Sequence, residues 1–142
     1  MVLSLDQINR GMSSVWARPP RKIIIFSNAR IRQGNGPYAG RQVLGFHKMG
    51  EDAVVLTHDS PARTLFHETT HNMGFYGETI TRTLAAWYNF RSRWRVIPPI
   101  VRPRVRYKQV PVSKEQMYKY ASAYGIASDP SDAGVIELVL VD

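Results

Sequence analysis

The 142-residue chain contains no cysteine, so disulfides and thiolate metal sites are both excluded. Any metal ion would have to be held by histidine, carboxylate or backbone oxygen. The lack of cysteine does not by itself fix a redox compartment. Long apolar runs are missing too. The longest, residues 23–26 and 135–141 with Glu137 inside, fall far short of the about 20 residues a membrane-spanning helix needs. The N-terminus shows no basic stretch followed by an apolar one, so no signal peptide is expected. A soluble, cytoplasmic protein with no membrane contact is the expectation; association with a virion or other nucleoprotein stays open. Acidic residues are scarce: 11 Asp and Glu face 19 Lys and Arg, a formal charge of +8. Arginine supplies 14 of those cations. This surplus favours nucleic acid or another acidic partner and says nothing about fold. The length suits a single domain, residues 1–142, with one core.

Histidine is also rare, with 4 in the chain, yet two of them stand four apart in His67-Glu68-Thr69-Thr70-His71. Residues four apart share a helix face, so the two imidazoles can offer nitrogens to one metal ion. Glu68, beside the first, can act as general base toward water. Chance would produce this pattern in roughly one shuffled chain in a few hundred at this composition. The bland alternative is a surface histidine pair.

The flanks suit a helix. Ser60 is a good N-cap, Pro61 fits the first helical position and Gly74 fits the position after the end. Ala62, Leu65, Phe66, Thr69 and Met73 fall on one side at 100° per residue, with His67 and His71 roughly opposite. The helix can therefore pack on a sheet and still present both imidazoles to a cleft. Upstream, Ser4 and Gln7 form a capping box opening a helix over residues 5–16. Residues 21–28, with the β-branched run at Ile23, Ile24 and Ile25, read as a buried strand. Residues 42–49 and 53–58 read as a hairpin turning at Gly50-Glu51-Asp52. Downstream, a helix from Gly77-Glu78 to about Trp94 carries Leu84, Trp87, Tyr88 and the Arg91 stem on one face. Ser113 and Gln116 form a second capping box for a helix reaching Gly125, and residues 135–141 read as a final strand. Gly34 to Ala39 formally fits a dinucleotide fingerprint, but Pro37 and the sequence after it do not open a helix, so that reading is rejected.

Catalytic zinc commonly takes three protein ligands. The first ligand-type side chain after Gly74 is Glu78, the candidate third ligand. Its plain alternative is an acidic residue favoured in a helix's first turn. His47, His58, Asp59, Asp129 and Asp132 are the reserves. A second electrophile for the oxyanion is needed, and Tyr76 is near by chain distance.

These residues resemble the zincin superfamily of metallopeptidases. The resemblance covers about residues 1–95 and is specific only at the motif. It implies an α+β fold, with an N-terminal helix and a small twisted mixed sheet packed on the HEXXH helix, then further helices and a C-terminal strand. It implies Zn2+ at His67, His71 and Glu78, Glu68 as general base, and a peptide or protein substrate. It also implies an antiparallel edge strand just before the helix, so that substrate would pair along residues 53–58. Among subfamilies, the metzincin pattern matches through Gly74 but has Gly77 where its third histidine belongs, with Met117 as a candidate Met-turn. The aspzincin HExTH is matched by Thr70, without its Gly-Thr-x-Asp segment. Glu78 at a helix start is similar to gluzincins, at shorter spacing, and a compact gluzincin-like protein is the expectation.

Residues 96–112 read as a basic extended segment, leaving residues 113–142 as a C-terminal helix and strand. Along that segment, Arg102, Arg104, Arg106 and Lys108 would point one way and Val101, Val105 and Tyr107 the other. The basic stripe could bind nucleic acid or an acidic partner, or simply guard a sheet edge. A nucleic-acid-associated or assembly protein on a zincin-like scaffold is therefore the second reading. The last strand, apolar on both faces except at Glu137, reads as central; pairing between copies to form a homo-oligomer is the alternative.

Overall fold

A computed structural model describes residues 4–13, 18–27, 31–32, 40, 42–47, 50–57, 62–75, 77–94, 105–126 and 134–141. The fold is α+β. In chain order the described elements are α1 (Leu5–Ser13), β1 (Lys22–Phe26), β2 (Ile31–Arg32), β3 (Gln42–Val43), β4 (Gly45–Phe46), β5 (Ala53–Thr57), α2 (Ala62–Asn72), α3 (Glu78–Trp94), β6 (Tyr107–Val110), α4 (Lys114–Tyr124) and β7 (Val135–Leu140).

Five strands form one mixed sheet in the order β4-β5-β1-β7-β6. β1 runs parallel to β5 and antiparallel to β7. The strands that read as continuous apolar runs lie in the middle, because helices cover both faces. One face carries Ile23, Ile25, Val54, Leu56, Tyr107 and Leu138, packed against α1 (Ile8, Met12), α2 (Leu65, Phe66) and α3 (Ala85, Tyr88). The other carries Ile24, Phe26, Val55 and Val135 against Tyr120 and Tyr124 of α4. Val105, Tyr107 and Leu138 belong to this core, so it extends well past residue 95.

The first capping box forms in full, and the second shows its N-cap half. Gln7 N–H donates to Ser4 Oγ at 3.1 Å, and Ser4 N–H to Gln7 Oε1 at 2.8 Å. The Gln116 N–H donates to Ser113 Oγ, and Gly125 closes α4 in the left-handed region at φ 64°. At the β6 edge, the Asn9 side chain accepts from Tyr107 N–H at 2.7 Å and donates to its carbonyl at 3.4 Å. A side chain thereby stands where another strand would pair.

Four expectations need correction. The strand read over residues 42–49 breaks at Leu44: β3 pairs with β2 in a separate two-stranded sheet, and β4 alone pairs with β5. The Leu44 carbonyl at the bend accepts from both Thr57 N–H (2.9 Å) and Thr57 Oγ1 (3.0 Å). Consequently β5 is not the sheet edge; β4 is, antiparallel to it. β7 lies between β1 and β6, so it has no open edge for pairing with a second copy. Lastly, Trp87 is 47% exposed, and the inward stripe of α3 is Thr81, Leu84, Ala85 and Tyr88. Among the described residues, no helix is long and apolar enough to cross a membrane.

Candidate metal centre

The HEXXH segment lies within α2, which packs on β4, β5 and α3. Leu65, Phe66, Thr69 and Thr70 are buried. Two adjacent threonines are awkward on a core-facing surface, since each buries a hydroxyl. Both are satisfied within the helix: Thr69 Oγ1 donates to Leu65 O at 2.7 Å and Thr70 Oγ1 to Phe66 O at 2.8 Å. α2 is thereby buried over most of its circumference, leaving Arg63, Thr64, His67 and His71 toward the open side.

The turn after α2 returns the chain to the histidines. Gly74 at φ +102° takes a conformation that other residues seldom adopt, and its N–H donates to His71 O at 2.9 Å. α3 then begins at Glu78, whose carboxylate reaches back to both imidazoles. His67 Nε2 and His71 Nε2 are 3.1 Å apart. Glu78 Oε1 is 3.4 Å from His71 Nε2, and Glu78 Oε2 is 3.8 Å from His67 Nε2. Donors on a tetrahedral zinc with bonds of about 2.0–2.1 Å sit about 3.3 Å from one another. The spacing and chemistry of the three side chains therefore fit such an ion. Among the described residues this is the group of three ligand-type side chains close enough to share one metal.

His71 is held by what lies behind it. Its Nδ1 is 2.9 Å from the Phe75 carbonyl, an acceptor, so Nδ1 carries the proton and Nε2 presents its lone pair forward. Thr81, fully buried at the start of α3, places its hydroxyl 2.9 Å from that same carbonyl. Burial holds His67 below its usual pKa; the neighbouring His71 adds to this and Glu78 opposes it. On balance the neutral imidazole that a metal requires is favoured.

Glu68 is 7% exposed, on the floor of a cleft of about 550 Å³. Burial, and secondarily the negative charge of Glu78, push its carboxyl up to about 8. A carboxyl so placed can hold or release a proton near neutral pH. From α2, Arg63, Thr64 and His67 also line the cleft. Arg82 of α3 and Leu44-Gly45 of the sheet edge complete it. Gly45 has a steric reason: a Cβ there would sit 2.6 Å from the Val55 carbonyl oxygen and 3.2 Å from Thr64 Cγ2. Glycine lets the edge strand approach both β5 and the metal helix.

Of the reserve ligands, His47 lies apart, its Nδ1 3.1 Å from the Ala53 carbonyl. His58, Asp59, Asp129 and Asp132 lie outside the described residues, as do Ser60, Pro61, Tyr76 and residues 34–39. On the basic stripe, Arg106 and Lys108 are exposed while Val105 and Tyr107 are buried, following the expected alternation; Arg102 and Arg104 are outside the described residues, as is the Arg91 side chain. Sequence reading missed Arg63 and Arg82 as cleft residues. The signal was there: Arg63 stands one helical turn before His67, and Arg82 one turn after Glu78. Compared with protein-family models, curated proteins and solved structures, the chain matches none, so function is read from the geometry of this site.

Proposed function

We propose that the protein is a zinc-dependent peptidase, a compact zincin-like enzyme in which His67, His71 and Glu78 hold the metal. The observation that carries this reading is the convergence of those three side chains, with His67 and the buried Glu68 lining an open cleft. Zinc bound there would supply a Lewis acid that polarises a scissile carbonyl and acidifies water. The remaining work falls to the chain. Phe75 fixes the His71 tautomer. Glu68 takes a proton from the attacking water and delivers it to the departing amine nitrogen. Its burial keeps bulk water from competing for that proton. The main chain of β4, rather than residues 53–58, would pair with an extended substrate, because among the described strands β4 is the sheet edge that adjoins the cleft.

The test is cleavage of an unfolded protein or a peptide library by zinc-loaded enzyme. Cleavage should be lost with a chelator, restored by zinc, and abolished in Glu68→Gln with zinc still bound. Zinc-loaded protein that hydrolyses nothing across a broad library would overturn the reading.

The charge of +8 and the exposed Arg106 and Lys108 favour a second, separable activity: binding of nucleic acid or another acidic partner. Salt-sensitive binding that survives both Glu68→Gln and metal removal would support it. Salt-independent binding, or none, would not.

A further inference from the structure

The metal chemistry accounts for His67, His71, Glu78 and Glu68, but not for two cations beside them. Arg63 and Arg82 enter the same cleft from different helices. Each lies one turn from a metal ligand, Arg63 before His67 on α2 and Arg82 after Glu78 on α3. The remaining lining, Leu44, Gly45 and Thr64, is uncharged.

Two like charges facing one cleft repel, and an anion held between them would relieve that. Of the two carboxyls at the site, Glu68 lines the cleft but is buried and assigned to proton transfer, and Glu78 does not fill the role either. Its Oε2 is 3.7 Å from Arg82 Nε, a long pair with both side chains more than half exposed. The same carboxylate faces both imidazoles and is the one a metal ion would take. Among the described residues, no carboxylate pairs with Arg63. Arginine is also well suited to hold a carboxylate, since its planar fork gives two parallel charge-assisted hydrogen bonds.

We propose that Arg63 and Arg82 form a carboxylate-binding subsite flanking the metal centre, selecting peptides with a carboxylate next to the scissile bond. This rests on the peptidase reading for its substrate, but the subsite can be tested without turnover. The carboxylate could come from an Asp or Glu side chain or from a free C-terminus one residue past the cleaved bond. A carboxylate so held would also fix the register of the peptide along β4.

The experiment measures binding of fluorescent hexapeptides to zinc-loaded Glu68→Gln protein by anisotropy. One pair differs by Glu against Gln at a central position; a second pair differs by a free C-terminus against its amide. The acidic member of at least one pair should bind tenfold or more tightly, and which pair discriminates identifies the source of the carboxylate. Adding Arg63→Gln or Arg82→Gln should bring that ratio to within about twofold, and Arg63→Lys should restore part of it. Both arginines are exposed, so these variants should fold; their melting temperatures check this. Equal affinities within both pairs would overturn the subsite, whether or not the wild-type protein cleaves peptides. Discrimination in binding by a protein that cleaves nothing would leave the subsite standing and remove the peptidase reading. Cleavage by wild type with no preference for either acidic peptide would do the reverse.

Discussion

Replacing Glu78 by alanine separates metal binding from folding more cleanly than any other change at this site. Glu78 is 57% exposed and lies in the first turn of α3, where its contacts are His67, His71 and a long pair with Arg82. None of these should contribute much to the stability of metal-free protein, since exposed pairs are worth about 0–1 kcal/mol. Its removal also relieves the negative charge that helps to push up Glu68. The metal-free variant should therefore melt within a few degrees of wild type. Zinc affinity should behave quite differently. Glu78 Oε1 and Oε2 lie 3.4 and 3.8 Å from the two imidazole nitrogens, close to the spacing that one tetrahedral ion imposes. Losing even an outer-shell partner costs roughly 10- to 100-fold in metal affinity. A direct ligand should exceed that, so the predicted loss is more than about 100-fold, or about 2.7 kcal/mol. Competition with a chromophoric chelator of known zinc affinity reads the difference directly. A Glu78→Ala protein that holds zinc as tightly as wild type would refute the three-ligand argument.

Other consequences follow from the same geometry. With Glu68 raised from 4.5 to about 8, the folded metal-free protein keeps a proton between those values that the unfolded chain has lost. Its stability should fall as pH rises through that window, by up to about 1.4 kcal/mol per unit, and zinc should flatten the slope by favouring the ionised carboxylate. Urea melts at several pH values, with and without a chelator, test this; a chelated protein more stable at pH 8 than at pH 5 would contradict it. Gly45→Ala places a Cβ 2.6 Å from the Val55 carbonyl, and should lower stability by about 1–3 kcal/mol as the edge strand is forced outward. An unchanged denaturation midpoint would show that β4 does not approach as described. On the opposite face, Tyr120→Phe removes the hydroxyl that donates to the buried Glu137, and should cost about 1–3 kcal/mol in chemical denaturation. A neutral result there would mean that Lys22, 3.3 Å from that carboxylate, suffices alone.

Local signals were the most legible part of the fold. The N-caps at Ser4 and Ser113 form, because each interaction lies wholly within four residues. The apolar run of β1 and the central place of β7 were also readable, since burial on two faces leaves no polar alternation. Strand order was not. β4 and β5 are neighbours in both sequence and sheet, and nothing local says which of them is also paired with β1. The break at Leu44 escaped notice for a similar reason: it depends on Thr57, thirteen positions away, binding the Leu44 carbonyl. The face expected to carry Leu84, Trp87 and Tyr88 is shifted, since the smaller Ala85 and Thr81 face inward where α3 meets α2 and α1 and Trp87 is exposed. At the metal site, His67 and His71 were legible because their spacing is helical, and Glu78 because it is the first ligand-type side chain after the Gly74 turn. The support from the Phe75 carbonyl was not, since a backbone group carries no signal in its residue type.

The central claim is that two imidazoles of α2 and the first carboxylate of α3 share one zinc ion. X-ray absorption on protein loaded with a single equivalent of zinc tests it most directly. The account predicts a four-coordinate first shell of two imidazole nitrogens and light oxygen donors at about 2.0–2.2 Å, with one imidazole contribution lost in His71→Ala. A protein that takes up no zinc at neutral pH, or a zinc shell with no imidazole scattering, would contradict it.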